Sequence, residues 1–210
     1  MALTGLFLIS FLVIHCTINA MIFLNDGGET FSHWGHFMGT NPIIRLLEIG
    51  LVLGFLFHII DGFLLVAQNR KARGPVRYAV VKQPGNTNWY SLSMGLLGTL
   101  ILIFLVIHTS HFWIPNRISQ GLTNWEEGEL DLYAKMLIVF QEPWVVIVYV
   151  LGCVSLFWHL LHGFRSAFQS LGLNHLKYNG AISFVGTAFA IIVPFIFALM
   201  PISMYFGWVK

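Results

Sequence analysis

The sequence predicts an all-α integral membrane protein with five transmembrane helices, and three observations predict it. The first is composition. Of 210 residues, 57% are hydrophobic and only 10% are charged, with a mean hydropathy of +0.76; a soluble domain carries roughly 25% charged residues. Too few polar side chains remain to cover a water-facing surface, which excludes an ordinary soluble globule, a disordered chain and a collagenous one. The second is run length. Five apolar runs reach the roughly 20 residues that a helix needs to cross a hydrocarbon core. The third is pattern. The runs are continuous, whereas a strand of a membrane barrel would alternate. The net charge of +2 offers no strongly basic surface for nucleic acid.

The spans fall near residues 3–24, 42–67, 91–113, 143–168 and 181–205, in one transmembrane domain covering 1–210. Pro42 and Pro143 open the second and fourth, at a position where the missing N–H costs nothing. Pro194 and Pro201 lie in the fifth, which they are expected to kink or end. Cys16 and Cys153 both fall within spans and read as small packing residues rather than a disulfide framework.

Loop charge sets the orientation. Between spans two and three stand Arg70, Lys71, Arg73, Arg77 and Lys82, five of the eleven basic residues, with no acid among them. The loop between spans one and two holds Asp26 and Glu29. The next outer loop holds Glu126, Glu127, Glu129 and Asp131 against Arg117 and Lys135. The second and fourth connections therefore face the cytoplasm, which places the N-terminus inside and Lys210 outside, in a cytoplasmic (inner) membrane. Nothing basic precedes the long first run, so no cleavable signal peptide is expected.

Nine histidines are many for such a chain, and ionisable groups within spans are costly and usually functional. His33, His36 and His175 read as loop residues. Span one contains Phe11-Leu12-Val13-Ile14-His15, and span three repeats it as Phe104-Leu105-Val106-Ile107-His108. Gly5 and Gly98 each stand ten residues before these histidines. Spans two and four echo each other as well. Pro42 stands 16 residues before His58 and Pro143 stands 16 before His159, and Gly62-Phe63 or Gly163-Phe164 follows at the fourth position beyond.

The chain thus reads as two helix pairs with one matched histidine per helix. At 1.5 Å per residue, His58 and His159 share a level about 24 Å from the outer start of their helices. His15 and His108 lie further out. Two levels, each with two histidines from different helices, is what a bis-imidazole iron requires, so the first four spans are expected to form a haem-binding bundle with two b haems. Gly62 and Gly163, one turn past their histidines on the same face, are expected to leave room for a macrocycle; close helix packing is the plainer reading. His111 and His162 compete as ligands, three residues and about 60° beyond the preferred ones. They would otherwise meet haem propionates or line a quinone site. Interhelical hydrogen bonding without metal, or a zinc site, would not produce two matched levels.

At these residues the sequence resembles a known family, the five-helix di-haem cytochrome b membrane anchor of succinate:quinone oxidoreductases, meaning succinate dehydrogenase and fumarate reductase. Thr4-Gly5-Leu6-Phe7-Leu8 leading to His15 carries the resemblance. So do Asn69-Arg70-Lys71-Ala72-Arg73 after His58, the stretch from His159 through His162-Gly163-Phe164, and Ser166-Ala167-Phe168-Gln169-Ser170-Leu171-Gly172. The resemblance covers essentially the whole chain. It implies the axial pairs His58/His159 nearer the cytoplasm and His15/His108 nearer the outside. It also implies two partners on the cytoplasmic face, an FAD-containing flavoprotein and an iron–sulfur protein, and exchange of electrons with menaquinone or ubiquinone. Family members carry a short polar segment before the Thr-Gly-Leu-Phe-Leu run. Here that run begins almost at Met1, so helix one is expected to start earlier than the sequence does.

A quinone site needs an apolar slot, a hydrogen-bonding group and a proton path. Glu48 in span two has two readings, a quinone-linked proton group or the partner of Arg45 one turn away. Asp61, one turn past His58, is expected to hydrogen-bond the haem edge or relay a proton. Arg45 is expected near the outer haem. Trp89, in Asn88-Trp89-Tyr90-Ser91, reads as an interface belt residue or a propionate donor. Three other functions compete: a haem b subunit of a hydrogenase or formate dehydrogenase type, a proton-coupled transporter, and a scaffold. A transporter would show broken helices in corresponding halves, and no such pair appears.

Overall fold

The computed structural model describes residues 1–74, 89–122 and 130–209, with the backbone alone at 120–122. Arg77, Lys82, Asn88, Glu126, Glu127 and Glu129 lie outside the described residues. Within them the chain is all-helical. Five helices are long and apolar enough to cross a membrane: Ala2–Leu24, Pro42–Arg73, Met94–Ser119, Pro143–Ser170 and Leu176–Tyr205.

Helix α1 (Ala2–Asn19) continues into a short 3-10 turn over Ala20–Leu24. Asn25 then takes a left-handed conformation, and Asp26 closes the turn by accepting from the Gly28 N–H (3.1 Å) and the Thr30 N–H (3.0 Å). These bonds satisfy amides that open α2 (Glu29–Thr40). The hydrogen bonds from Thr30 hold the Asp26 carboxyl below the usual carboxylate range. His33 and His36, expected in a loop, lie on α2. The stretch is too polar to show as a span, and glycines obscure its amphipathic period.

Asn41 caps α3 (Pro42–Arg73), its Oδ1 accepting from the Ile43 N–H at 2.9 Å, and Pro42 stands first as expected. Arg70, Lys71 and Arg73 close α3, where the helix dipole favours cations. The third span has a broken period. It runs from α4 (Trp89–Leu92) into α5 (Met94–His108), then a π-helical turn over Thr109–Trp113, then α6 (Ile114–Leu122). Asp131 caps α7 (Leu132–Val139) through its Oδ1. Helix α8 (Pro143–Ser170) precedes α9 (Leu176–Tyr205). The fifth span starts earlier than expected and continues through Pro194 and Pro201, which are both buried inside α9. Neither proline ends it, because neighbouring helices in a membrane protein can re-satisfy the carbonyls a proline frees.

The packing is a ring of four helices with a fifth outside. α1 packs on α3, α3 on α5, α5 on α8 and α8 on α1, whereas α1 with α5 and α3 with α8 show no comparable packing among the described residues. These last two pairs are the diagonals of the ring. Helix α9 lies against α8 and α1. None of the most apolar stretch of α3 is buried, against 33% for α8, so α3 is peripheral and α8 is the central element. Small residues let the helices close up. The Phe104 ring sits where a side chain on Gly152 would begin, 2.6 Å from the position of its Cβ, and Phe7 does the same at Gly54. Cys16 and Cys153 are buried free thiols.

The end of the bundle opposite Arg70, Lys71 and Arg73, which loop charge assigns to the outside, is capped. Helix α2 packs on α1, α3 and α7. A buried cluster joins Ile22 and Phe31 with Tyr133, Met136 and Phe140, and these with Tyr149, Met200 and Met204. Burial pushes the Tyr133 phenol up, with the charge of Asp26 adding to it.

Candidate functional site: two histidine pairs on the bundle diagonals

The four matched histidines meet as two pairs. The ring centres of His15 (α1) and His108 (α5) stand 5.9 Å apart with their planes at 86°. Those of His58 (α3) and His159 (α8) stand 6.1 Å apart at 71°. Both pairs bridge diagonals of the ring, where the helices themselves do not pack. Imidazole nitrogens bind first-row metals at about 2.0 Å, so two imidazoles on opposite sides of one ion place their ring centres roughly 6 Å apart.

The levels can be read from the helices that carry the outer pair. A Cβ on Gly5 of α1 would lie 3.7 Å from His58 Cε1, and one on Gly98 of α5 would lie 3.9 Å from His159 Cε1. Gly5 and Gly98 each precede their own histidine by ten residues, so both helices give the same separation of the two levels, about 15 Å. The glycines singled out by spacing behave differently. A Cβ on Gly62 would meet the end of the Met1 side chain at 3.4 Å, and one on Gly163 would meet nothing within 4 Å. Gly5 and Gly98 thus lie in contact range of the inner rings, while the space beside Gly163 is open. They are visible in the sequence only as part of the repeat, because a contact across helices has no signature in local spacing.

The repeated pentapeptide builds the same local geometry twice. Phe11 stacks on His15 at 5.1 Å and 21°, and Phe104 stacks on His108 at 5.5 Å and 24°. One turn of helix brings the first and fifth residues together. Phe197 from α9 also meets His15, while Phe112 and Tyr149 meet His108.

Hydrogen bonds distinguish the pairs. Thr4 donates its only hydroxyl proton to the Met1 carbonyl at 2.9 Å and lies 3.3 Å from His58 Nδ1. Its oxygen therefore accepts from Nδ1–H, which leaves Nε2 of His58 with a free lone pair. Asn19 Nδ2 donates to the His15 carbonyl at 2.7 Å and lies 3.3 Å from His15 Nδ1. That amide makes Nδ1 the acceptor and puts the proton on Nε2. His108 Nδ1 and His159 Nδ1 are buried without a hydrogen-bond partner. Sequence reasoning missed both Thr4 and Asn19. Asn19, four residues past His15 on the same face, is the one that local spacing could have found.

The remaining expected residues are placed as follows. The Glu48 carboxylate takes Arg45 at 2.7 Å, Arg117 Nε at 2.8 Å and the Trp113 indole N–H at 2.5 Å. Of its two readings, the ion pair is the one formed. It is extended across to the third span, and it commits Arg45 to Glu48. Asp61 is half exposed and meets the Met1 amino group at 2.8 Å. Trp89 packs on Trp158, 4.7 Å between ring centres, and Tyr90 stacks on Trp158 and edges His162. His111 is not paired with His15. Its Nδ1 lies 3.0 Å from the Tyr149 hydroxyl, with the rings nearly parallel.

No group of three or more His, Cys, Asp or Glu side chains clusters as metal ligands among the described residues. Two donors per level is the set that occupies both axial positions of a macrocyclic iron, and it is short of the four of a structural zinc site. The pair spacing and the open space beside Gly163 fit such a group. The chain matches no family model, no curated protein and no solved structure.

Proposed function

We propose that this chain is the membrane-anchor cytochrome b subunit of a complex of the succinate dehydrogenase or fumarate reductase type, passing electrons between an iron–sulfur protein and membrane quinone. The observation that carries the reading is the pair of histidine pairs, each close to 6 Å between ring centres and each on a diagonal of the bundle. His15 with His108, and His58 with His159, would hold two b haems. Six-coordinate haem iron supplies one-electron chemistry, its potential tuned by ligands, burial and hydrogen bonds.

The chain's own residues supply the rest. Thr4 fixes the tautomer and orientation of His58. Phe11 and Phe104 shield the outer imidazoles from water. Asp61, one turn beyond His58, is the carboxylate we assign to proton exchange at that end. Glu48 joins Arg45 and Arg117 in a clamp, which favours a structural role over quinone chemistry. Arg70, Lys71 and Arg73 give the inner end its positive charge, the basis for assigning that end to the cytoplasm and to the flavoprotein and iron–sulfur partners.

The test is a dithionite-reduced minus oxidised spectrum of the purified chain, with haem quantified per chain as the pyridine haemochrome. Two low-spin b haems are expected. One haem would mean that a level has been misassigned, and none in haem-replete material would overturn the reading.

A further inference from the structure

A second site lies outside the ring of four, at the same end of the bundle as Arg70, Lys71 and Arg73. A cavity of about 420 Å³ opens between the C-terminal half of α8, the N-terminal half of α9 and Tyr90. Its polar lining includes Arg165, His162, Gln169, Ser183 and Thr187, and no carboxylate among the described residues lines it. Arg165 stands six residues beyond His159, about 120° around the helix, so it is turned away from the inner histidine pair.

Two observations give the cavity a chemistry. Arg165 has neither an ion pair nor a hydrogen bond among the described residues, although it is a cation on a membrane helix. The hydroxyls of Ser183 and Thr187 are unspent too. Serine and threonine on a helix commonly bond back to the preceding turn, as Thr17, Thr99, Thr109 and Ser170 do in this chain. Ser183 and Thr187, one turn apart on α9, make no such bond among the described residues. A guanidinium, an amide and two free hydroxyls facing one polar hollow form a donor set for a tetrahedral oxyanion. Basic pockets between transmembrane helices at the charged end recognise lipid head groups.

We propose that this cavity binds the phosphate of an anionic phospholipid. The inference rests on the membrane topology and not on the haem reading. The experiment uses the full chain purified in detergent, washed free of lipid and titrated with phosphatidylglycerol, phosphatidylcholine or inorganic phosphate. Bound lipid is counted by native mass spectrometry and haem content is measured in parallel.

The wild type is expected to retain about one phosphatidylglycerol per chain in preference to phosphatidylcholine. Arg165→Gln is expected to weaken that binding at least about fivefold, the effect of removing one cation at a lipid surface, with haem content unchanged. Ser183→Ala/Thr187→Val is expected to weaken it too and serves if Arg165→Gln fails to fold. Lys177→Gln, which removes an exposed cation of the same end but outside the cavity, is expected to change nothing. Equal binding by wild type and both cavity variants would overturn the proposal, as would equal affinity for the two lipids. Displacement of the lipid by millimolar inorganic phosphate would keep the oxyanion site but overturn the lipid as its occupant.

Discussion

The two histidine pairs are built from the same side chains at nearly the same spacing, yet their surroundings differ. The outer pair lies in an aromatic shell of Phe11, Phe104, Phe112, Tyr149 and Phe197, beneath the outer cap formed with α2 and α7. The inner pair has glycines over its rings and a threonine on His58. Aromatic rings pack the outer pair, whereas glycine backbone approaches the inner one. The hydrogen bonds differ in sense as well. His58 is preset with a free Nε2, whereas His15 must turn Asn19 before Nε2 can act as a ligand. On the proposed function, His58 is the one ligand of the four already held in a coordinating tautomer.

The largest test of this comparison removes one imidazole at a time. On the proposed function, His58→Ala and His159→Ala should each leave one b haem per chain, and so should His15→Ala and His108→Ala. The double variant His58→Ala/His159→Ala should lose no more haem than either single change, because the two partners share one iron. Pyridine haemochrome stoichiometry reads all of these. A second haem lost in a single variant would show that the levels are not independent. Next in size is Gly98→Leu. A side chain there starts 3.9 Å from His159 Cε1 and fills the space over the inner ring, so the inner haem should be lost and the outer kept. Gly163→Ala, which meets nothing within 4 Å, should change neither.

The hydrogen-bond contrast predicts a smaller asymmetry. Thr4→Val removes the acceptor that fixes His58, and outer-shell changes of this kind cost about 10–100-fold in affinity. Asn19→Leu removes a group that as placed favours the non-ligating tautomer, so outer haem affinity should fall less or rise. Haem-loss rates to an acceptor protein compare the two. Equal losses would mean that Asn19 rotates freely and that the levels are alike.

Much of this arrangement is legible in the sequence, and the parts that are not share a cause. Hydropathy and loop charge locate the spans because the bilayer imposes a length and a sign on them. The pentapeptide repeat and the equal Pro-to-His spacing bring out His15, His58, His108 and His159 because depth is linear in residue number along a helix. Contacts between helices have no such ruler. Gly62 and Gly163 stand out by local spacing, while Gly5 and Gly98 approach the rings of His58 and His159 from neighbouring helices. Glu48 pairs by spacing with Arg45 on its own helix, but Arg117 and Trp113 reach it from the third span, whose π-helical turn shifts the register by a residue. Helix α2 escapes because a polar amphipathic stretch gives no span signal.

The outer end offers two further tests. Glu48→Gln leaves two guanidiniums without their carboxylate at a site where the side chain is only 18% exposed, and should lower stability by about 1–3 kcal/mol, read as a lowered Tm in detergent. Haem content at the inner level should not change. If it did, the clamp would be acting through the whole bundle rather than at its outer end.

The smallest effect is expected at the turn that leads into the outer cap. The Asp26 carboxyl is held below its ordinary range by the bonds from Thr30. A carboxylate with a depressed folded value stabilises at neutral pH, and that contribution is lost as pH falls through the folded value. Asp26→Asn should therefore melt slightly below the wild type at neutral pH, with the two curves converging below the usual carboxylate range. An Asp26→Asn deficit that stayed constant into acid would trace the cap to hydrogen-bond geometry rather than charge. It would also leave the closed outer end resting on the packing of Ile22, Phe31 and Tyr133 alone.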